Sequence, residues 1–272
     1  MELIGQQLRH YEIRQQIASG GYGAIYLAHD TSVNRDVVVK TILPEYANQD
    51  EFKQRFDAEA RLIAQLEHPH IVPIYSYWQD ERGAFLVMRY IRGGNLRDVI
   101  SNQGALSLIQ VQRILQQVCD ALDVAHSHQV IHRDIKPENI LLDTHGNAYL
   151  TDFGIAKRLH TDDDVTATDS ILGTWKYLSP EQIENAPVSP QSDIYSLGVM
   201  LYEMLAGAHP FRDTSVTLML VRHMGDPLPN ILVDRPGLPS GINELIQKAT
   251  EKRPANRYPS ISALANDCNN IM

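Results

Sequence analysis

The sequence predicts an α+β protein with two unlike lobes: a small antiparallel β-sheet lobe with one main helix, then a larger, mostly helical lobe. Two observations lead to this prediction. Residues 1–90 carry short runs of β-branched and aromatic residues separated by turn residues, which is typical of strands. After Gly93-Gly94 the apolar residues recur at helical spacing instead. We therefore place the lobes at residues 1–90 and 91–272 and expect them to form one domain.

The N-terminal lobe is predicted from alternation of residue types, with Gly20-Gly21 and Asn34 as turn signals. One segment has a helical period instead, because Phe52, Phe56 and Ile63 fall on a common helical face. This segment predicts a helix over Asp50–Leu66. The predicted strands are Tyr11–Ile17, Ala24–His29, Asp36–Ile42, Ile71–Trp78 and Ala84–Tyr90.

The C-terminal lobe is predicted from two helical stretches and one irregular stretch. Leu108–His126 carries a 3.6-residue apolar stripe, and Asp193–Ala206 is apolar nearly all round, as in a buried helix that ends at Gly207. Residues 152–181 show no regular period. A loop of that length within a compact domain is usually functional.

Composition limits the classes of function. The chain has 272 residues and a formal net charge of −9, which argues against non-specific nucleic-acid binding. The N-terminus has no signal-peptide pattern, and no apolar stretch is long enough to span a membrane. We therefore expect a cytoplasmic chain and leave open a longer, membrane-anchored parent protein. Cys119 and Cys268 are expected to be buried small apolar residues in a reducing compartment.

A glycine-rich stretch provides the first chemical signal. Residues 18–23 read Ala-Ser-Gly-Gly-Tyr-Gly between two predicted strands, where glycines would let backbone amides approach phosphate oxygens. This signal alone is weak, and a plain hairpin turn fits it equally well. Lys40 ends a valine-rich strand, and Glu59 lies on the apolar face of the following helix. Because an unpaired acid there would be costly to bury, we expect the two to pair.

The segment His132-Arg133-Asp134-Ile135-Lys136-Pro137-Glu138-Asn139, followed by Asp152-Phe153-Gly154, provides the decisive signal. We expect apolar runs at residues 130–131 and 140–142 to form two strands that flank a polar loop. Asn139 and Asp152 offer oxygen ligands of the kind that Mg²⁺ takes from proteins. Asp134 could accept the proton of an attacking hydroxyl, and Lys136 could neutralise a transferring phosphoryl group. His132 is expected to be a core residue.

These motifs together resemble the eukaryotic-like (Hanks-type) serine/threonine protein kinases, most of all the bacterial members, over residues 11–258. The resemblance implies the bilobal protein kinase fold, with Asp134 as catalytic base, an active-state pair of Lys40 and Glu59, and the metal ligands Asn139 and Asp152. It implies ATP and Mg²⁺ as cofactors, with Mn²⁺ as a substitute. The implied nucleotide-binding residues are Ala18, Gly20, Gly21, Gly23, Ile25, Val38, Lys40, Met88, Arg89, Tyr90, Ile91 and Leu141.

The resemblance extends to the segment that follows. Ser179-Pro180-Glu181 resembles the family's Ala-Pro-Glu motif, with Arg257 as ion-pair partner of Glu181, and Asp193 resembles an aspartate that braces the catalytic loop. Lys136 and Gly173-Thr174 favour serine/threonine over tyrosine specificity. We expect autophosphorylation at Thr166 and Thr168, with Arg133 as a partner for the added charge.

Ala18, Arg89 and Ser179 depart from the usual family residues, but none of these changes removes a catalytic group. Two alternatives remain open at this point. One is a pseudokinase or ATP-binding signalling scaffold, and the other is a kinase-like small-molecule phosphotransferase. The expected partners are protein substrates, with a homodimer through the N-terminal lobe left open. No contact with nucleic acid or membrane is expected within this chain.

Overall fold

An antiparallel sheet of six strands in the order β1-β2-β3-β4-β6-β5 forms the first part of the chain. The computed structural model describes residues 3–21, 23–153, 175–212 and 215–272, and the fold is stated for these residues. The strands are β1 Gln7–Leu8, β2 Tyr11–Gly20, β3 Gly23–Asp30, β4 Arg35–Ile42, β5 Ile74–Asp80 and β6 Gly83–Arg89.

The two faces of this sheet differ in burial. Tyr26, Val37, Val39 and Val87 lie on one face and are at most 2% exposed, within a core cluster that includes Trp78. Side chains alternate between the faces along each strand, so the neighbours of these residues lie on the opposite face. Helices pack against this second face. Its residues Ile42, Ala84 and Leu86 form a core cluster with Ala47, Phe52 and Phe56 of the two helices described next.

The chain divides into two compact units. The sheet belongs to the first unit, together with the helices α1 Pro44–Ala47 and α2 Asp50–Ala64. The second unit contains His68–Ile71 and the described residues from Arg92 onward. It holds the short antiparallel strands β7 Ile140–Leu142 and β8 Ala148–Leu150, and 3₁₀ turns at Pro137–Asn139 and Pro254–Asn256. Its helices are α3 Leu96–Gln103, α4 Leu108–Ser127, α5 Pro180–Ile183, α6 Pro190–Ala206, α7 Val216–Gly225, α8 Ile231–Asp234, α9 Gly241–Ala249 and α10 Ile261–Ile271.

Helix α6 forms the centre of the second unit. All its residues from Ser192 to Leu205 are buried, as the nearly uniform apolar pattern predicts. The helix ends at Gly207, whose φ of 74° is left-handed and therefore suits glycine. The predicted C-terminal glycine is confirmed, and so is the α+β class.

Three local predictions need correction. The strand predicted to begin at Ile71 begins at Ile74 in the structure, and Ile71 instead bridges Leu150 of β8. Residues 130–131 are not a strand, so the polar loop is followed by β7 but is not preceded by a strand. Helix α2 ends at Ala64, two residues before the predicted end at Leu66.

One further prediction from composition agrees with the structure. Cys119 and Cys268 are both buried and free. Within the described part of the chain, no helix combines the length and the apolar character needed to cross a bilayer.

Candidate active site

One face of the sheet brings together several residues expected to bind a nucleotide. Residues paired across antiparallel strands project to the same face. Ala18 pairs with Ile25, and Ile25 pairs with Lys40. Val38, two residues before Lys40, pairs with Met88. These five residues therefore share the face opposite the core cluster, where Ile25, Val38 and Lys40 are half-buried.

The glycines at the turn from β2 to β3 have different local roles. A Cβ at Gly23 would lie 1.8 Å from the carbonyl oxygen of Thr41, so strand packing alone excludes a side chain there. A Cβ at Gly20 would meet no described atom within 4 Å. Gly21 is exposed in the turn. Close strand contact thus explains Gly23, whereas packing gives no reason for glycine at position 20.

Lys40 and Glu59 both lie in the first unit. Lys40 is in β4 and Glu59 is in α2, and both are half-buried. β4 runs over Arg35–Ile42, so it ends at Ile42 as predicted, and Lys40 lies two residues before that end. The pairing of the two side chains stays a prediction.

Three of the residues expected to bind the nucleotide, Arg89, Tyr90 and Ile91, lie at and just beyond the end of β6. Arg89 pairs with Val37, and its backbone N–H donates to the Pro73 carbonyl at 3.1 Å. That donor is therefore already used within the sheet unit. Tyr90 is half-buried and Ile91 is buried beyond the strand.

The predicted catalytic loop places two polar side chains on the Asp134 carboxylate. Lys136 Nζ lies 2.9 Å from Asp134 Oδ2. The Asn139 amide Nδ2 donates to the same oxygen at 3.0 Å and to the Asp134 carbonyl at 2.7 Å. Two donors thus fix the orientation of the carboxylate. Because Nδ2 of Asn139 is used here, the side-chain atom that remains to bind a cation is Oδ1.

A buried aspartate holds the start of this loop. Asp193, on α6, is fully buried and accepts hydrogen bonds from the backbone N–H groups of His132 at 2.9 Å and Arg133 at 2.8 Å. His126 Nε2 lies 2.7 Å from its Oδ2. Arg133 has a φ of 66°, an unfavourable value for a residue with a side chain. The predicted bracing role of Asp193 is confirmed by these contacts.

His132 connects the loop to the segment that carries Asp152. Its side chain is fully buried, and burial lowers its pKa, which favours the neutral ring. Nδ1 lies 3.3 Å from the Asp134 N–H, and Nε2 lies 2.8 Å from the Thr151 carbonyl. In a neutral ring, Nε2 therefore carries the proton and Nδ1 accepts. The prediction of a core histidine is confirmed.

Asp152 follows Thr151, whose N–H donates to the Asn139 carbonyl at 3.1 Å. This bond ties the two predicted metal ligands to each other through the backbone. Asp152 has a φ of 59°, which marks a constrained site. No cluster of three or more His, Cys, Asp or Glu residues suited to a metal occurs in the described part of the chain. A carboxylate with an amide oxygen nevertheless fits Mg²⁺, which keeps phosphate and water oxygens for the rest of its shell.

Glu181 and Arg257 form the predicted buried ion pair. Their bidentate contacts measure 2.7 and 2.8 Å, and Ser192 Oγ donates to Glu181 Oε1 at 2.6 Å. Burial opposes ionisation, but the hydrogen bonds from Arg257 and Ser192 outweigh it and lower the pKa of Glu181. The pair is therefore charged at neutral pH.

Sequence reasoning missed several supporting residues. Gln182 donates to the Arg133 carbonyl at 2.9 Å and accepts from Ser179. Its position three residues after Ser179 at a helix start is a capping-box signal that could have indicated it. Thr41 and Thr151 have no comparable signal.

The remaining predicted site residues lie in β7 or outside the described part of the chain. Leu141 lies in β7 and is half-buried. Thr166 and Thr168, as well as Gly154 and Gly173-Thr174, lie outside the described residues.

Comparison with known families identifies the class of protein. The protein kinase domain family matches residues 11–267. The chain belongs to the protein kinase domain family, and the resemblance noted from the motifs is confirmed. Members of this family generally use ATP and a divalent metal.

Several relatives to which the chain is similar are named serine/threonine-protein kinases. The chain is 38% identical to the serine/threonine-protein kinase PrkC of Bacillus subtilis over 266 residues, which is 97% of the chain and 41% of PrkC. It is 39% identical to PknD of Mycobacterium tuberculosis over 263 residues, covering 96% of the chain and 40% of PknD. The crystal structure of the M. tuberculosis PknI kinase domain matches with a TM-score of 0.79 and 25% identity, over 98% of each chain. The chain thus spans about two fifths of the length of these curated relatives, PrkC and PknD.

Proposed function

We propose that the chain is a serine/threonine protein kinase that transfers the γ-phosphoryl group of Mg·ATP to protein hydroxyls. The arrangement of Lys136 and Asn139 on one oxygen of Asp134 carries this proposal, because it fixes a carboxylate in one orientation. A fixed carboxylate is suited to accept the proton of an attacking hydroxyl. The named activities of the relatives support the same reaction.

The reaction needs one bond made and one broken. The hydroxyl oxygen of the substrate bonds to the γ-phosphorus while the bond from that phosphorus to the leaving oxygen of ADP breaks. Asp134 takes the proton released by the hydroxyl. Lys136 offsets negative charge on the transferring group. Asn139 and Asp152 would hold Mg²⁺, which supplies charge neutralisation on the phosphate oxygens when bound.

The nucleotide would lie on the half-buried sheet face. Ile25, Val38 and Met88 share that face with Lys40 and offer apolar contact for a base. Because the Arg89 amide already donates to Pro73, a base would meet the Arg89 carbonyl. Lys40, held by Glu59, would contact the phosphates, and the backbone at Gly20 would approach them, because glycine has no Cβ in the way.

The test is incubation of the purified protein with Mg²⁺ and [γ-³²P]ATP, alongside an Asp134→Asn variant. We expect label on serine or threonine in the parent and a loss of about 10²–10⁴-fold in the variant, since the base is removed. Asp120→Asn is the matched control, because Asp120 is an exposed acid on α4. Its label should equal that of the parent.

The outcomes separate the alternatives. ATP binding without label in the parent would indicate a pseudokinase or scaffold. Label transferred to small molecules but not to proteins would indicate a small-molecule phosphotransferase. Site mapping tests the proposed autophosphorylation of Thr166 and Thr168, which fails if a fully active enzyme carries neither phosphate.

A further inference from the structure

A single guanidinium group in the second unit joins three segments of the chain. Arg97, in the first turn of α3, donates through Nε to Glu138 Oε1 at 2.8 Å. Its Nη1 donates to Glu203 Oε1 on α6 at 2.8 Å, and its Nη2 contacts the hydroxyl of Tyr177. The Tyr177 hydroxyl in turn donates to Glu203 Oε2. The three partners of Arg97 lie 41 to 106 positions from it in the sequence, so the contacts depend on the fold.

The charges of this cluster make Arg97 difficult to replace. The side chain of Glu203 is only 4% exposed and that of Arg97 is 25% exposed. Burial alone would lower the pKa of Arg97, but hydrogen bonding to Glu203 outweighs it and raises that pKa. Burial, followed by the charge of Glu203, raises the pKa of Tyr177, so the phenol stays protonated and can donate. Without the guanidinium, Glu203 would be a buried carboxylate with no cation beside it, which is costly.

Glu138 gives the cluster a route to the candidate active site. It is the middle residue of the 3₁₀ turn Pro137–Asn139, directly before the side chain that binds Asp134. A bond that holds Glu138 therefore restricts the backbone that carries Asn139. Tyr177 ties a second segment to the cluster, since its carbonyl accepts from Ser196 Oγ of α6 at 2.6 Å.

We propose that Arg97 is a positioning residue that holds the turn of the catalytic loop and the Tyr177 segment on helix α6. Through Glu138 it keeps Asn139 in place against Asp134, and it has no contact with the reacting atoms itself. Its effect on phosphoryl transfer rests on the proposed function, whereas its effect on the loop does not. The arginine fork is essential to this role, because one planar group satisfies acceptors on separate segments at once.

The test compares Arg97→Met, Arg97→Lys and Glu138→Ala with the control Arg113→Met. Arg113 is also an arginine of the second unit, but it is exposed and donates to Asn147 Oδ1 at 2.6 Å. Amide hydrogen exchange is measured in folded protein over residues 132–142 and 175–178. We expect Arg97→Met to speed exchange in both segments by about tenfold or more, because local opening then costs less. Arg113→Met should leave both segments at the parental rate.

Glu138→Ala should speed exchange in residues 132–142 only, because Tyr177 keeps its contacts with Arg97 and Glu203. In residues 132–142, the double variant Arg97→Met/Glu138→Ala should exchange no faster than Arg97→Met alone. Both substitutions remove the same contact, the one between Arg97 and Glu138. Arg97→Lys should fall between the parent and Arg97→Met. Parental exchange in residues 132–142 of Arg97→Met would overturn the proposal, and so would full additivity of the two changes.

Kinetics supply the second readout. At equal folded fractions, Arg97→Met should lower kcat by about tenfold while KM for ATP stays within about twofold, as expected when the chemical step loses its geometry. A raised KM with unchanged kcat would refute the positioning role. If the parent transfers no phosphate, the proposed function fails, and hydrogen exchange still decides whether Arg97 holds the loop.

Discussion

Replacement of Arg257 by methionine should be among the most damaging single changes in the described part of the second unit. The Arg257 side chain is 0% exposed, and each of its N–H groups has an acceptor. Beside the two oxygens of Glu181, these acceptors are the carbonyls of Glu251, Gln191 and Lys252, at 2.7, 2.8 and 3.0 Å. The group therefore joins α5 and the first turn of α6 to the loop between α9 and α10.

The expected magnitude follows from what the methionine leaves behind. Removing one partner of a buried ion pair costs about 3–5 kcal/mol, because the other charge stays buried without compensation. The carbonyls that lose a donor add to this cost, although relaxation and water entry offset part of it. We therefore expect the free energy of unfolding to fall by about 4 kcal/mol, out of a total of about 5–15 kcal/mol for a typical domain.

Urea unfolding followed by circular dichroism measures this change. Arg257→Lys should lose less, since it keeps the charge but not the bidentate geometry. The double variant Glu181→Met/Arg257→Met should recover part of the loss, because no buried charge remains. Arg61→Met is the control, since Arg61 forms an ion pair with Asp57 while 66% exposed, and the unfolding midpoint should not move. A loss below about 1 kcal/mol for Arg257→Met would refute the reasoning, since the buried charge would then have found another partner.

Two further predictions concern pH and backbone packing. Burial lowers the pKa of His223 from 6.5 to about 3, so the unfolded chain binds the extra proton first as the pH falls. Stability should therefore drop between about pH 6.5 and pH 3 by up to about 1.4 kcal/mol per pH unit, and His223→Gln should flatten this slope in urea titrations from pH 7 to about pH 5. A Cβ at Gly93 would lie 2.3 Å from the Leu142 carbonyl oxygen, whereas one at Gly237 would meet nothing within 4 Å. Thermal unfolding should show a loss of about 1–3 kcal/mol for Gly93→Ala and little change for Gly237→Ala, and equal midpoints would contradict the steric argument.

Local periodicity predicted most of the strands and helices, and the motifs predicted several contacts of the candidate site. Residue alternation located strands such as β4, in which Val37 and Val39 are buried while Val38 and Lys40 are half-buried. The contacts of Asp193 and the pair of Glu181 with Arg257 came from the family resemblance, since no local pattern links positions so far apart. Ile71 was assigned to the wrong element because a short apolar run does not indicate which segment of the chain it pairs with. In the structure its partner is Leu150 of β8.

The Arg97 cluster could not be predicted because it depends on side chains from separate elements. Arg97 reads in sequence as an ordinary basic residue in the first turn of a helix. Glu138 reads as part of a motif, and Tyr177 as one aromatic residue in an irregular stretch. Only the packing of these elements shows that one guanidinium satisfies both Glu138 and Glu203.

Helix α6 explains how an irregular loop can be held in a defined geometry. Asp193, Ser196 and Glu203 are buried and project from one side of the helix at helical spacing. Asp193 binds the N–H groups of the catalytic loop, Ser196 binds the Tyr177 carbonyl, and Glu203 binds Arg97. Irregular backbone lacks the repeating hydrogen bonds of helices and strands, so its buried polar groups need partners elsewhere. A helix with these polar residues supplies the partners from a rigid support. The same residues are a sequence signal, because a polar stripe in an otherwise apolar helix indicates that it supports a polar loop.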